Sequence, residues 1–160
     1  MTIQVGDSIP SAKLTQATAE GPKEISTEEL FGGKTIVIFG VPGAFTPTCS
    51  IKHLPGYVEQ YDALKDKGAD VVACMAVNDA FVMGAWGKDQ GVGDKVTMLA
   101  DGSANFTKAL GLELDLTARG LGVRCQRFAL IAKNGKVTHV AVEAPGAFEV
   151  SKVEAVLAAL

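Results

Sequence analysis

Three cysteines and two histidines are all that 160 residues contain of the softer metal-ligating side chains. An odd, small cysteine count closes at most one pair, which excludes a disulfide scaffold. A basic surplus is also missing. Fifteen Lys+Arg stand against 18 Asp+Glu, for a net charge of −3. Nucleic acid is therefore excluded as a main partner, because phosphate binding calls for a clustered basic surface. The longest apolar runs, Ile36 to Phe39 and Val71 to Val77, fall far short of the ~20 residues of a membrane helix. Met1 to Asp7 lacks the basic stretch and apolar core of a secretory signal. The expectation is a reducing compartment, most simply the cytoplasm, in which the Asn105-Phe106-Thr107 sequon is accidental. Repeats, low-complexity tracts and linker-like charge blocks are absent, so residues 1–160 are expected to form one domain. What is present is an ordinary globular composition, 48% apolar and 21% charged.

Lys34 to Gly40 is a β-branched apolar run closed by Pro42-Gly43, which predicts a buried strand. Thr46-Pro47 then predicts a helix start, with Thr46 as N-cap and Pro47 at the first helical position. Ile51, Leu54, Val58, Tyr61 and Leu64 give that helix one apolar face, Pro55 should kink it near His53, and Gly68 should stop it. Further strands are expected over Ala69 to Val77 and Lys95 to Ala100. Helices are expected from Asn78 or Asp79 to about Lys88, from Ala104 to Leu110 behind a Ser103 cap, and from Val150 to Leu160. Arg127 to Ala132 and Val137 to Val142 flank Asn134-Gly135, a hairpin signal. Alternating strands and helices followed by a hairpin imply an α/β fold, a central mixed sheet with helices on both faces.

The chemistry points to Cys49. As the third residue of the helix behind Thr46, it sits among unpaired N–H groups and about half a positive charge, which favour a thiolate. The thiolate is the nucleophilic form. Cys74, between Ala73 and Met75, reads as a core residue. Cys125 shares strand parity with Arg127, so the two are expected on one face.

The segment Val41 to Ser50, VPGAFTPTCS, resembles the active-site loop of the peroxiredoxins, whose Pro-x-x-x-Thr-x-x-Cys pattern it matches at Pro42, Thr46 and Cys49. The Gly-Ala-Phe-Thr-Pro form, followed by His53-Leu54-Pro55-Gly56, is similar to the type II (atypical two-cysteine) branch. Weaker matches extend along the chain: Val5-Gly6-Asp7, Val77 to Met83, Trp86, Leu99-Ala100-Asp101 and Arg127-Phe128. The resemblance implies a thioredoxin-like fold and a thiol-dependent peroxidase acting on hydrogen peroxide and small alkyl hydroperoxides. Cys49 would be oxidised to a sulfenic acid, Thr46 would place a hydroxyl near it, Pro42 would shield it and Arg127 would reach back to it. Arg124 is the second choice for the arginine. The resemblance also implies a homodimer.

Animal members of this branch carry a resolving Cys in the C-terminal region, but Glu143 to Ser151 has none here. Plant and bacterial members often carry one where Cys74 stands, so Cys74 is the possible resolving thiol. The simplest expectation is an external reductant, glutathione with glutaredoxin, or thioredoxin. A redox-sensing interaction module using Cys49 is the competing reading. A disulfide oxidoreductase is disfavoured because Thr46 stands where Cys-x-x-Cys needs its first Cys.

Other patterns carry little. Cys49 and His53 have a helical ligand spacing but no second pair, so no metal is expected. His53 is expected to satisfy a local hydrogen bond or to tune Cys49. Gly32-Gly33-Lys34-Thr35 lacks the earlier glycine of a P-loop and precedes a strand. Phe81, Met83 and Trp86 read as packing residues, and no cofactor motif is present.

Overall fold

A computed structural model describes residues 1–160. Seven strands form one mixed sheet in the order β2-β1-β5-β4-β3-β8-β9. Its centre is parallel: β3 (Thr35–Gly40), β4 (Val71–Ala76) and β5 (Thr97–Ala100). The hairpin β8 (Phe128–Lys133) and β9 (Lys136–Val142) adds antiparallel to β3. Asn134 and Gly135 both take positive φ, 48° and 77°, as a two-residue hairpin turn requires.

Strand alternation divides two cores. Ile36 and Ile38 of β3 face one core with Leu30, Phe31 and Phe106. Val37 and Phe39 face the other with Cys49, Tyr57, Cys74 and Trp86. No helix is long and apolar enough to cross a membrane.

Several elements differ from the sequence reading. The N-terminal region forms a hairpin, β1 (Lys13–Thr18) and β2 (Gly21–Ser26), and a short helix α1 (Thr27–Phe31). Ser26 and Glu29 close a capping box there. The helix expected from Pro47 to the Gly68 stop is not continuous. Cys49–His53 is a π-turn in which the Leu54 N–H donates to the Cys49 carbonyl. α2 (Leu54–Glu59) and α3 (Tyr61–Asp66) follow, divided at Gln60. Pro55 explains the π-turn: it has no N–H, its ring crowds the carbonyl four residues back, and one extra residue in the turn relieves both.

α4 (Ala80–Asp89) is capped by Asp79. Ser103 does not cap α5 (Asn105–Leu110). The Asp101 carboxylate instead accepts from the Phe106 and Thr107 N–H groups, with Ala104 left-handed at φ 61°. A second sheet pairs β6 (Glu113–Leu116) with β7 (Gly122–Cys125). The last helix, α6, spans only Val153–Ala159.

Candidate active site

The loop after β3 is pinned from two directions. The Val41 N–H donates to the Met75 carbonyl at 3.0 Å, and the Val41 carbonyl accepts from the Cys125 thiol at 3.1 Å. Arg124 donates through Nε to the Leu121 carbonyl at 2.8 Å and through Nη1 to the Pro42 carbonyl at 3.3 Å. Gly43 has no spare room: a Cβ there would lie 2.9 Å from Arg124 Nη1 and 3.1 Å from Thr46 Cγ2. Thr46 precedes the helical residues as expected, and its carbonyl accepts the Ser50 N–H at 3.0 Å. Its hydroxyl, however, does not cap. It donates to the Gly43 carbonyl at 2.7 Å, closing the loop on itself and keeping its own lone pairs as acceptors.

Cys49 is fully buried at the start of the π-turn. Its Sγ accepts from Arg127 Nη2 at 3.1 Å. Next to it, the Ser50 hydroxyl accepts from the Trp86 indole N–H at 3.0 Å, fixing the turn against α4. Arg127 was expected on the hairpin strand, but β8 begins one residue later, at Phe128. The break at Gln126 and Arg127 also defeats the parity argument for Cys125. That cysteine lies on β7 of the second sheet and belongs to the opposite core from Cys49.

The sequence reading missed the partners of His53. Arg127 donates through Nη1 to His53 Nδ1 at 2.9 Å, so one guanidinium holds both the thiol and the imidazole. An arginine can only donate, hence Nδ1 is an acceptor and the proton sits on Nε2. Nε2 then donates to the Ser151 carbonyl at 3.1 Å, a bond spanning 98 positions rather than the local one expected. The Tyr57 hydroxyl donates to the same carbonyl at 2.7 Å. Phe39 stacks on Tyr57 at 3.9 Å, and the Phe148 ring edges His53 at 5.1 Å. Burial first, then the nearby Arg127 charge, push His53 down to about 3. Metal-ligand spacing thus resolves as two acceptors sharing one arginine. No group of three or more His, Cys, Asp or Glu is arranged to hold a metal ion.

His53 makes stability depend on pH in a defined direction. Unfolded, an imidazole titrates near 6.5; folded, this one stays neutral to about 3. Between those values the unfolded chain binds a proton that the folded chain refuses. Stability is therefore complete above pH ~6.5 and falls by about 1.4 kcal/mol per unit as pH drops toward the folded value. His139, also lowered by burial, acts in the same direction, and so does Glu143 below its ordinary range. Denaturant midpoints from pH 7 to 5 should fall, and His53→Asn should flatten the slope. An equal slope in the variant would remove His53 as its cause.

A cavity of about 150 Å³ opens beside the site, lined among others by Pro42, Thr48, Gln126, Arg127 and Glu143. A larger cavity of about 370 Å³, near Lys13, Asp79 and Asp101, contains none of the cysteines and not Arg127. Its greater size does not outweigh the chemistry gathered at the smaller one.

Cys74 is fully buried on β4, in the same core as Cys49. Burial, then the nearby Cys49 charge, push its thiol well above the ordinary range. Burial likewise pushes Cys125 up to about 12. All three cysteines are free thiols.

Residues 4–157 match the family model described as Redoxin. The chain is similar to Peroxiredoxin-2C of Oryza sativa subsp. japonica, 48% identical over 99% of this chain and 98% of that protein. It is equally similar to Peroxiredoxin-2B of Arabidopsis thaliana, 48% identical over the same shares. Among solved structures it resembles reduced Prx3 of Vibrio vulnificus in complex with hydrogen peroxide. There the TM-score is 0.95 and the identity 54%, over 99% of each chain.

Proposed function

This chain belongs to the peroxiredoxins, in their type II branch, and is a thiol-dependent peroxidase; from that premise we propose that Cys49 reduces hydrogen peroxide and small alkyl hydroperoxides and is recycled by an external thiol. The observation carrying the assignment to Cys49 is the Arg127 Nη2 donor 3.1 Å from its sulfur. The Cys49 thiolate attacks the nearer peroxide oxygen, the O–O bond breaks, and sulfur becomes a sulfenic acid. The other oxygen leaves with the electron pair and takes a proton, giving water or an alcohol. Negative charge moves from sulfur toward the departing oxygen, where the Arg127 guanidinium, held in place by His53, can stabilise it. Thr46, its hydroxyl proton committed to Gly43, offers lone pairs to the peroxide O–H. Pro42 forms part of the cavity wall and shields the thiol.

A first thiol then condenses with the sulfenic acid, releasing water and leaving a mixed disulfide. A second thiol releases Cys49 and takes the other sulfur as its own disulfide. Glutathione with glutaredoxin, or thioredoxin, fits this requirement, and the free thiols suit a reducing compartment such as the cytoplasm. Cys74 is a poor internal alternative because burial keeps its thiol protonated. A homodimer is proposed through the active-site loop and α4, where Phe45, Ile51 and Phe81 are exposed.

The test compares peroxide turnover driven by glutathione plus glutaredoxin with turnover driven by thioredoxin plus its reductase, for wild type and Cys74→Ala. At least one system should sustain turnover, and Cys74→Ala should keep it. A dominant Cys49–Cys74 disulfide after one equivalent of peroxide, with turnover lost in the variant, would replace the external thiol by an internal one.

A further inference from the structure

Glu143 stands directly beyond β9, opposite Arg127. Its backbone N–H donates to the Arg127 carbonyl at 2.9 Å, extending the β8–β9 ladder by one rung. Its side chain is buried, 7% exposed, yet makes no ion pair with that arginine. The carboxylate Oε2 instead accepts three bonds from the segment before α6: the Glu149 N–H at 2.8 Å, the Ser151 N–H at 2.8 Å and the Ser151 hydroxyl at 2.6 Å. A buried carboxylate with three donors is a strong anchor, because charge-assisted bonds are about twice as strong as neutral ones. Burial alone would raise Glu143, but the Ser151 and Glu149 donors outweigh it and hold the carboxyl below its usual range.

The anchored segment has a use. The Ser151 carbonyl is the acceptor for both His53 Nε2–H and the Tyr57 hydroxyl. With Nε2 committed as donor, Nδ1 is left as the acceptor that Arg127 Nη1 needs. The other nitrogen of the same guanidinium fork then lies on Cys49 Sγ.

We propose that Glu143 is a positioning residue for Arg127, setting the Ser151 carbonyl so that His53 keeps the tautomer which aims the guanidinium at Cys49. The proposal rests on the reading of Cys49 as the peroxide-reacting thiol. Its test therefore has one readout that does not depend on peroxide.

Glu143→Gln keeps the size of the side chain but replaces the charged acceptor by a neutral amide. Its rate of Cys49 oxidation by hydrogen peroxide, followed by stopped flow through Trp86, should fall about tenfold, the loss of part of a charge-assisted network. Imidazole nitrogen NMR should show His53 as a single Nε2–H tautomer in wild type and as a mixture in the variant. Ser151→Ala, which removes one donor and keeps the carbonyl, should show a smaller change in the same direction, and stands in if Glu143→Gln does not fold. An unchanged His53 spectrum overturns the proposal, even with a slower rate, because Glu143 would then be structural only. An unchanged rate beside a changed tautomer overturns it as well. If wild type shows no peroxide reaction, the reading of Cys49 fails, while the NMR arm still decides whether Glu143 sets the tautomer.

Discussion

Cys49→Ser is expected to consume no peroxide above the uncatalysed background while keeping its fold. A serine hydroxyl at this position cannot accept an oxygen atom from peroxide. The open question is whether a second thiol could take over, and the magnitudes decide it. Cys125, pushed up to about 12 by burial, is thiolate in only about one molecule in 10⁵ at pH 7. It is also spent as a donor to the Val41 carbonyl. Burial is also the main cause that holds the Cys74 thiol well above its ordinary range, and it remains when Cys49 is replaced. Neither has an arginine donor such as the one 3.1 Å from Cys49 Sγ. Peroxide consumption by the purified variant, measured with excess thiol reductant, checks this. Activity within tenfold of wild type would mean that one of the buried thiols reacts.

Arg127→Leu is the second large effect. Removing one fixed donor from a charge-developing transition state costs roughly 10²–10³ in rate. The expected fall in the second-order rate of Cys49 oxidation is of that order. The leucine variant also leaves His53 Nδ1 as a buried acceptor without a donor. Arg127→Lys should recover only part of the rate, since a single ammonium cannot reach both Nδ1 and Sγ with the geometry of a planar fork. Stopped-flow oxidation, with thermal unfolding as a control for folding, checks both variants. A loss of less than about tenfold in Arg127→Leu would show that the guanidinium is not a main source of stabilisation.

The two predictions also separate what is legible in the chain from what is not. β3 and β4 could be read from their β-branched runs, and the β8–β9 turn from Asn134-Gly135, because local preference and tertiary burial agree there. Cys49 could be read because its setting is a local strand, turn and helix start. Arg127 was reached only through the family resemblance, since nothing local distinguishes it from a surface arginine. β1 and β2 are as long as β3 but largely exposed or half-buried, and β6 and β7 are only four residues each, so no apolar run or clear alternation marks them. His53, Tyr57, Glu143 and Ser151 meet across 8 to 98 positions through hydrogen bonds, several of them to backbone carbonyls. A carbonyl acceptor leaves no mark on residue identity. A charged residue directly after the apolar end of β9, as Glu143 is after Val140-Ala141-Val142, was the one available signal. The Pro55 kink was correctly placed in the chain but not in kind, because proline can be accommodated by an added residue as well as by a bend.

The most direct measurement is the site of first oxidation. The fully reduced protein is mixed with one equivalent of hydrogen peroxide in the presence of a sulfenic-acid trapping reagent, digested, and its peptides weighed. The trapped adduct should fall on the peptide containing Cys49 and on no other, with Cys74 and Cys125 recovered as thiols. An adduct on Cys74 or Cys125, with Cys49 recovered unmodified, would contradict the account.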